Sequence, residues 1–222
     1  MAKLFFAGDS ITAGAWDVRG GWANRIIGRV MEENINRPDL YCMPYNIAVS
    51  GDAFEDALRH TLSEIEPRLY REDDDERIQI VVALGINDSC FFHAEEKQRF
   101  SDEQFRENIE AFITQLRTIT SNISFIGLTA VDEEKVDPIP WASDRSYKNA
   151  IIQKFESIIQ SICTKQGLDF LPMFNRWVSK SDYKEYLIDG VHPNTKGHEF
   201  IAEHVERFLL TDQFYDFHKD ID

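Results

Sequence analysis

The sequence predicts an α/β fold around a mostly parallel, five-stranded sheet, and two observations carry that expectation. Short apolar runs alternate with amphipathic stretches of helical spacing along the chain, giving a β-α-β-α order. Such an order packs as a parallel sheet with right-handed crossovers and helices on its faces. The clearest run, residues 78–84, is apolar on both faces except at Gln79, the pattern of a strand covered on both sides. The 222 residues contain no internal repeat and no low-complexity linker, so one domain spanning 1–222 is expected.

The elements follow in order. Residues 4–7 (Leu-Phe-Phe-Ala) are a first buried strand, and Trp22, Ile26, Ile27, Val30 and Met31 recur at helical spacing behind it. Residues 45–49 are a second strand, followed by a helix marked by Phe54, Leu58, Leu62 and Ile65. The charge block 71–77 (Arg-Glu-Asp-Asp-Asp-Glu-Arg) is a solvated loop before the third strand, 78–84. Ser101-Asp-Glu-Gln104 is a capping box, and the helix behind it carries Phe105, Ile109, Phe112, Ile113 and Leu116 on one stripe. Residues 123–128 are a fourth strand, and 131–142, with Pro138, Pro140 and Trp141, are a loop. Tyr147, Ile151, Phe155, Ile158, Ile159 and Ile162 mark a long helix ended near Gly167, followed by a short fifth strand at 170–174. Phe200, Ile201, Val205, Phe208 and Leu209 mark the last helix, and an acidic, loosely held tail is expected from Thr211.

Composition limits the function classes. Hydrophobic residues make up 43% and charged residues 28%, enough for a real core. The net charge of −15 repels phosphate backbones and anionic lipid, so nucleic acid and membrane surfaces are not expected partners. No apolar run approaches the ~20 residues of a membrane span, and the apolar start at 4–7 is shorter than the ~7–15 residues of a signal-peptide core. Cys42, Cys90 and Cys163 are an odd number without close pairing, which fits reduced thiols and a cytoplasmic protein.

In open parallel sheets ligands bind beyond the carboxyl ends of the strands, and four polar, glycine-bearing turns stand at such positions. They are 8–14 (Gly-Asp-Ser-Ile-Thr-Ala-Gly), Ser50-Gly51-Asp52, Gly85-Ile86-Asn87-Asp88 and 189–194 (Asp-Gly-Val-His-Pro-Asn). Each alone has an ordinary reading as a cap or turn. Together they hold the parts for acyl transfer. Ser10 is a candidate nucleophile that needs a base, and His192 can be that base. Asp189, three residues earlier, can fix the imidazole tautomer and stabilise the imidazolium. The backbone N–H groups of Ser10 and Gly51 and the Asn87 side-chain amide are candidate oxyanion donors.

These four ordered blocks, with Gly21-Trp22 before the first helix, resemble the SGNH hydrolases, also called GDSL-type esterases and lipases. The resemblance runs from about Lys3 to about Leu210, with Ile11 standing where the family's nickname has leucine. It implies a three-layer α/β/α, flavodoxin-like fold with strand order 2-1-3-4-5. It also implies a Ser10-His192-Asp189 triad, an oxyanion hole from Ser10, Gly51 and Asn87, and no metal or organic cofactor. Other constellations are poorer. Cys90 and His93 suggest a thiol–imidazole pair without a second pair for a metal, His198 and His204 do not share a helix face, and His60 and His218 lack polar context.

Trp16, Asp17, Phe91, Phe92 and the 131–142 loop with Trp141 are candidate pocket walls. The expected substrate is a small soluble carboxylic ester with an acyl or aryl group, a thioester or a lysolipid. A carbohydrate acetyl ester is the alternative, because Trp16 or Trp141 could stack on a sugar. A non-enzymatic flavodoxin-like binding module would need none of Asn87, Asp189 and His192.

Overall fold

The computed structural model describes residues 2–37, 39–69 and 77–218. Strand β1 (Ala2–Gly8), buried along its whole length, runs into a one-turn helix α1 (Ser10–Ala13). Helix α2 (Gly21–Asn36) returns to β2 (Cys42–Asn46), and α3 (Phe54–Ile65) returns to β3 (Ile78–Ala83). The two-residue strands β4 (Phe91–Phe92) and β5 (Lys97–Gln98) precede α4 (Asp102–Leu116) and β6 (Ile123–Ile126). Helix α5 (Glu133–Val136), strand β7 (Arg145–Ser146), α6 (Asn149–Gln166) and β8 (Asp169–Leu171) follow. The chain ends through α7 (Phe174–Val178), α8 (Thr195–Leu209) and α9 (Asp212–His218).

The main sheet has the order β2-β1-β3-β6-β8, and every neighbouring pair is parallel. This is the expected order 2-1-3-4-5. Helices α2 and α8 pack together on one face, while α3, α4 and α6 form the layer on the other. Phe54, Phe105, Phe112 and Phe155, all fully buried, fill the second interface, with Phe105 stacked on Phe155 at 4.0 Å. On the first, Phe6 meets the edge of Trp22. Ser101 caps α4 through the anticipated reciprocal box with Gln104. Register levels the strand exits: Gly8 lies opposite Ala83, and Phe6 opposite Asn46. The segments that follow β1, β2 and β3 therefore emerge side by side. Among the described residues no helix is long and apolar enough to cross a membrane.

Several expectations shift. The second strand begins at Cys42, because Pro44 is harmless on an edge strand where no N–H is needed. Ile47 and Val49 still donate to Phe6 and Gly8, so the expected 45–49 run does continue along β1. The fifth strand stops at Leu171 and does not reach Phe174. Pro172 follows, and the N–H groups of Met173 and Phe174 go to the buried carboxylate of Glu156 as α7 begins. On the helices, Met31 is 42% exposed, and Ala57 and Thr61 are buried while Leu58, packed against the core, and Leu62 are only partly so. The 131–142 loop contains α5, and β7 joins β4 and β5 in a small antiparallel sheet whose strands are too short for periodicity to reveal. Beyond Thr211 the expected loose tail instead forms α9, anchored by buried Phe214. Residues 71–76 of the charge block lie outside the described residues.

Candidate active site

Asp9 caps α1 by accepting the Ile11 N–H at 2.9 Å, which sets Ser10 as the helix's first residue, just beyond β1. Ile11 is buried, as expected of the position. Ser10 Oγ lies 2.9 Å from His192 Nε2. His192 Nδ1 lies 2.7 Å from Asp189 Oδ2. The two partners come from opposite ends of the sequence, because α8 packs against α2 and the turn before α8 reaches the exit of β1. Within that turn, Asp189 Oδ1 accepts the N–H groups of Val191 and His192 at 3.0 and 2.9 Å. The turn requires φ of +97° at Gly190, where a Cβ would come within 2.8 Å of Lys135 and Val136 side chains.

Burial alone would raise the Asp189 carboxyl, but hydrogen bonds from the His192 ring and from the His192 and Val191 backbone outweigh it and bring it down to about 2. Asp189 is thus an anion across the whole neutral range. Asp9 behaves oppositely: its burial pushes it up to about 7, against the N–H of Ile11 and the neighbouring His192. Asp88 is likewise pushed up to about 7 by burial, while its carboxylate accepts the Phe54 N–H at the start of α3.

Asn87 follows β3 and is held at both ends of its amide. Nδ2 donates to the Asp52 carbonyl at 2.9 Å, and Oδ1 accepts from the Tyr147 hydroxyl at 2.9 Å. Gly51, one residue before Asp52, has φ of +91° on the exposed rim. The Asp52 carboxylate is 2.6 Å from His60 Nε2, so His60, read from sequence as lacking polar context, has an acidic partner. His93 is bound to the Ser146 hydroxyl, and no bond joins it to Cys90. His198 is buried beneath the site and accepts the Trp22 N–H, with burial bringing it down to about 4.

Two tryptophans flank the imidazole. Trp16 stands edge-on to His192, with ring centres 6.1 Å apart and an interplanar angle of 86°, and Trp141 lies at 6.2 Å and 35°. The Trp16 indole N–H also donates to Asp189 Oδ2 at 3.1 Å. Together with Asp17, Val18, Ile188 and Asp189 they line an open, largely apolar cleft of about 670 Å³. Asp17 faces this cleft only in part, since its carboxylate is engaged by Arg25, Thr195 and the Gly21 N–H. Phe91 and Phe92 do not line the cleft. They sit in the small sheet, with Lys148 over Phe91 and Arg145 over Phe92.

Sequence reasoning missed Tyr147 and the second task of Trp16. Tyr147 reads as one more member of a helix stripe, although a tyrosine in an apolar stripe needs a partner for its hydroxyl. The Trp16 indole reaches Asp189 from a left-handed backbone, φ +64°, which no periodicity reports.

The GDSL-like lipase/acylhydrolase family model matches residues 6–200. A human isoamyl acetate-hydrolyzing esterase 1 homolog is 24% identical over 210 residues, covering 91% of this chain and 79% of that protein. The corresponding protein of Bos taurus is 22% identical over 215 residues, with the same coverage of 91% and 79%. Among solved structures, a lipase/acylhydrolase from Enterococcus faecalis superposes with a TM-score of 0.68 at 20% identity, covering 93% of this chain and 94% of that one. An acetylxylan esterase from Geobacillus stearothermophilus gives 0.68 at 16% identity, covering 92% of each chain.

Proposed function

The chain belongs to the GDSL-like lipase/acylhydrolase family and is a hydrolase, and from that premise we propose that it cleaves small carboxylic esters through an acyl-enzyme on Ser10. The observation that carries the proposal is the continuous line of contacts from Ser10 Oγ through His192 to Asp189, at 2.9 and 2.7 Å. Ser10 Oγ attacks the ester carbonyl carbon while His192 Nε2 takes its proton. Asp189, ionised and fixed by two backbone donors, stabilises the imidazolium that forms. The oxyanion is met by the backbone N–H groups of Ser10 and Gly51 and by the second N–H of the Asn87 amide, the first being held by Asp52. Collapse breaks the bond to the alcohol oxygen, which leaves with the proton from His192. Water then repeats the sequence on the acyl-enzyme, with His192 again as base. The chemistry needs no metal or organic cofactor.

The preferred substrates are small aliphatic or aryl esters, supported by the exposed aromatic walls of the cleft and by the likeness to esterases named for isoamyl acetate. A second reading, deacetylation of a carbohydrate, is favoured by the same exposed Trp16 and Trp141, which offer flat faces to a sugar ring. A panel of p-nitrophenyl esters of graded chain length, acetylated sugars and acyl thioesters tests the choice. Short carboxylic esters should give the highest kcat/KM; acetylated sugars exceeding them would transfer the assignment to the second reading.

A further inference from the structure

We propose, resting on the esterase reading above, that Trp16 is a positioning residue of the hydrolysis: its indole N–H holds the Asp189 carboxylate in the orientation that His192 requires. Asp189 Oδ1 accepts the backbone N–H groups of Val191 and His192 at 3.0 and 2.9 Å. Oδ2 lies 2.7 Å from His192 Nδ1 and accepts the Trp16 indole N–H at 3.1 Å. Each carboxylate oxygen thus has two partners. The terminal torsion of an aspartate is soft, and both Oδ1 donors belong to the same turn as Asp189 itself. Trp16 is the donor that grips the other oxygen from a distant part of the chain. Asp189 also lines the open cleft, where a water could compete for Oδ2. The indole is a donor only and stays in place during the reaction, so it costs no reorganisation when the imidazolium forms.

The local fold is arranged to keep the indole there. The backbone at Trp16 is left-handed, φ +64°, a region that a bulky side chain occupies only where its surroundings hold it, and such residues gather at functional sites. Trp16 is 64% exposed, so core packing does not account for this backbone. Its two chain neighbours do. The Ala15 N–H donates to the Ser10 carbonyl at 2.9 Å, which joins the loop to the helix of the proposed nucleophile. Asp17 is buried, and its carboxylate accepts from Arg25, from the Gly21 N–H at 3.0 Å and from the Thr195 hydroxyl at 2.9 Å. Thr195 opens α8, three residues after His192. Asp17 therefore ties the Trp16 loop to the turn that carries both His192 and Asp189, and the indole and its acceptor are held as one unit.

Two replacements test this: Trp16→Phe, and the tryptophan analogue with sulfur in place of the indole N–H, placed at position 16 by codon reassignment. Both should lower kcat for p-nitrophenyl acetate by about tenfold, the cost of a loosened group one step from the reacting atoms. The analogue keeps the ring, so it should leave KM within about twofold. In an Asp189→Ala background the same replacements should change kcat by less than about twofold, because the group through which Trp16 acts is gone. In 15N-labelled protein the Trp16 indole resonance is the one of four that Trp16→Phe removes. It should move on Asp189→Ala, while those of the buried Trp22 and Trp177 stay. Wild-type turnover by the analogue, a loss that persists in full without Asp189, an effect on KM alone, or an indole resonance that ignores Asp189→Ala would each overturn the inference and leave the esterase reading in place. Turnover of p-nitrophenyl acetate by Ser10→Ala at the wild-type rate would instead bring down the esterase reading itself.

Discussion

At the scale of single residues, the proposed mechanism gives Asn87, Asp189 and Tyr147 separable tasks and separable signatures. Asn87→Ala removes a donor that acts on the developing oxyanion, so kcat should fall by about 10²–10³ with little change in KM. A rise in KM alone would make Asn87 a ground-state binding residue. Asp189→Asn removes the charge opposite the imidazolium and upsets the tautomer, with a loss in kcat of about 10⁴ expected. The double variant should lose less than the product of the two factors, because both act on one transition state. Tyr147→Phe deletes the hydroxyl that anchors Asn87 Oδ1. As a positioning residue it should lower kcat by about tenfold with KM nearly constant, and cost nothing further when Asn87 is already alanine. That Ser10, His192 and Asp189 would meet was legible in the sequence because the residue types proposed for acyl transfer stand in polar turns at the strand exits. Tyr147 and the Trp16 indole were not, since their roles depend on hydroxyl and indole directions that only the assembled fold sets.

At the scale of elements, the connection between the fourth and fifth sheet strands is tied by one carboxylate. Glu156, on α6 and buried, accepts the N–H groups of Leu128, Met173 and Phe174. Glu156→Ala strands three buried donors and should cost about 3 kcal/mol or more. At about 2–4 °C per kcal/mol for a chain of this size, that is a fall in Tm of about 10 °C by calorimetry. Glu156→Gln, which keeps one acceptor oxygen, should lose less; equal losses would mean that the anchoring hydrogen bonds are not what α6 supplies here. The five strands and the long helices could be read from the sequence because each carries a continuous apolar run or a full stripe. The end of the fifth strand could not: nothing in the run 170–174 shows that a glutamate on α6 has claimed two of its N–H groups. The two-residue strands of the small sheet lie below the length at which any period can be recognised.

At the scale of the whole molecule, buried carboxyls make stability depend on pH in a predictable direction. Asp9 and Asp88 rise from the ordinary 3.8 to about 7, chiefly by burial. The folded protein therefore holds protons between about 4 and 7 that the unfolded chain has released. The contribution of these two groups is complete below about 4 and lost as pH climbs to 7. Asp189 runs the other way, its contribution present above about 4 and lost as pH falls toward 2. Acidifying from pH 7.5 to 5.5 should thus raise Tm, and Asp88→Asn should diminish that rise. General relief of the −15 net charge acts on both proteins alike and cancels in the comparison. An identical rise in both would mean that Asp88 takes up no proton in the fold between pH 7.5 and 5.5.

The central claim is that Ser10 is the nucleophile, and covalent labelling tests it most directly. The protein is treated with a p-nitrophenyl alkylphosphonate, and release of p-nitrophenol is followed alongside intact mass and peptide mapping. The account predicts one phosphonyl group per chain, located on the peptide containing Ser10, with ester hydrolysis lost in proportion and no labelling of Ser10→Ala. Labelling of another residue, or a Ser10→Ala variant that is labelled and hydrolyses esters like the wild type, would contradict it.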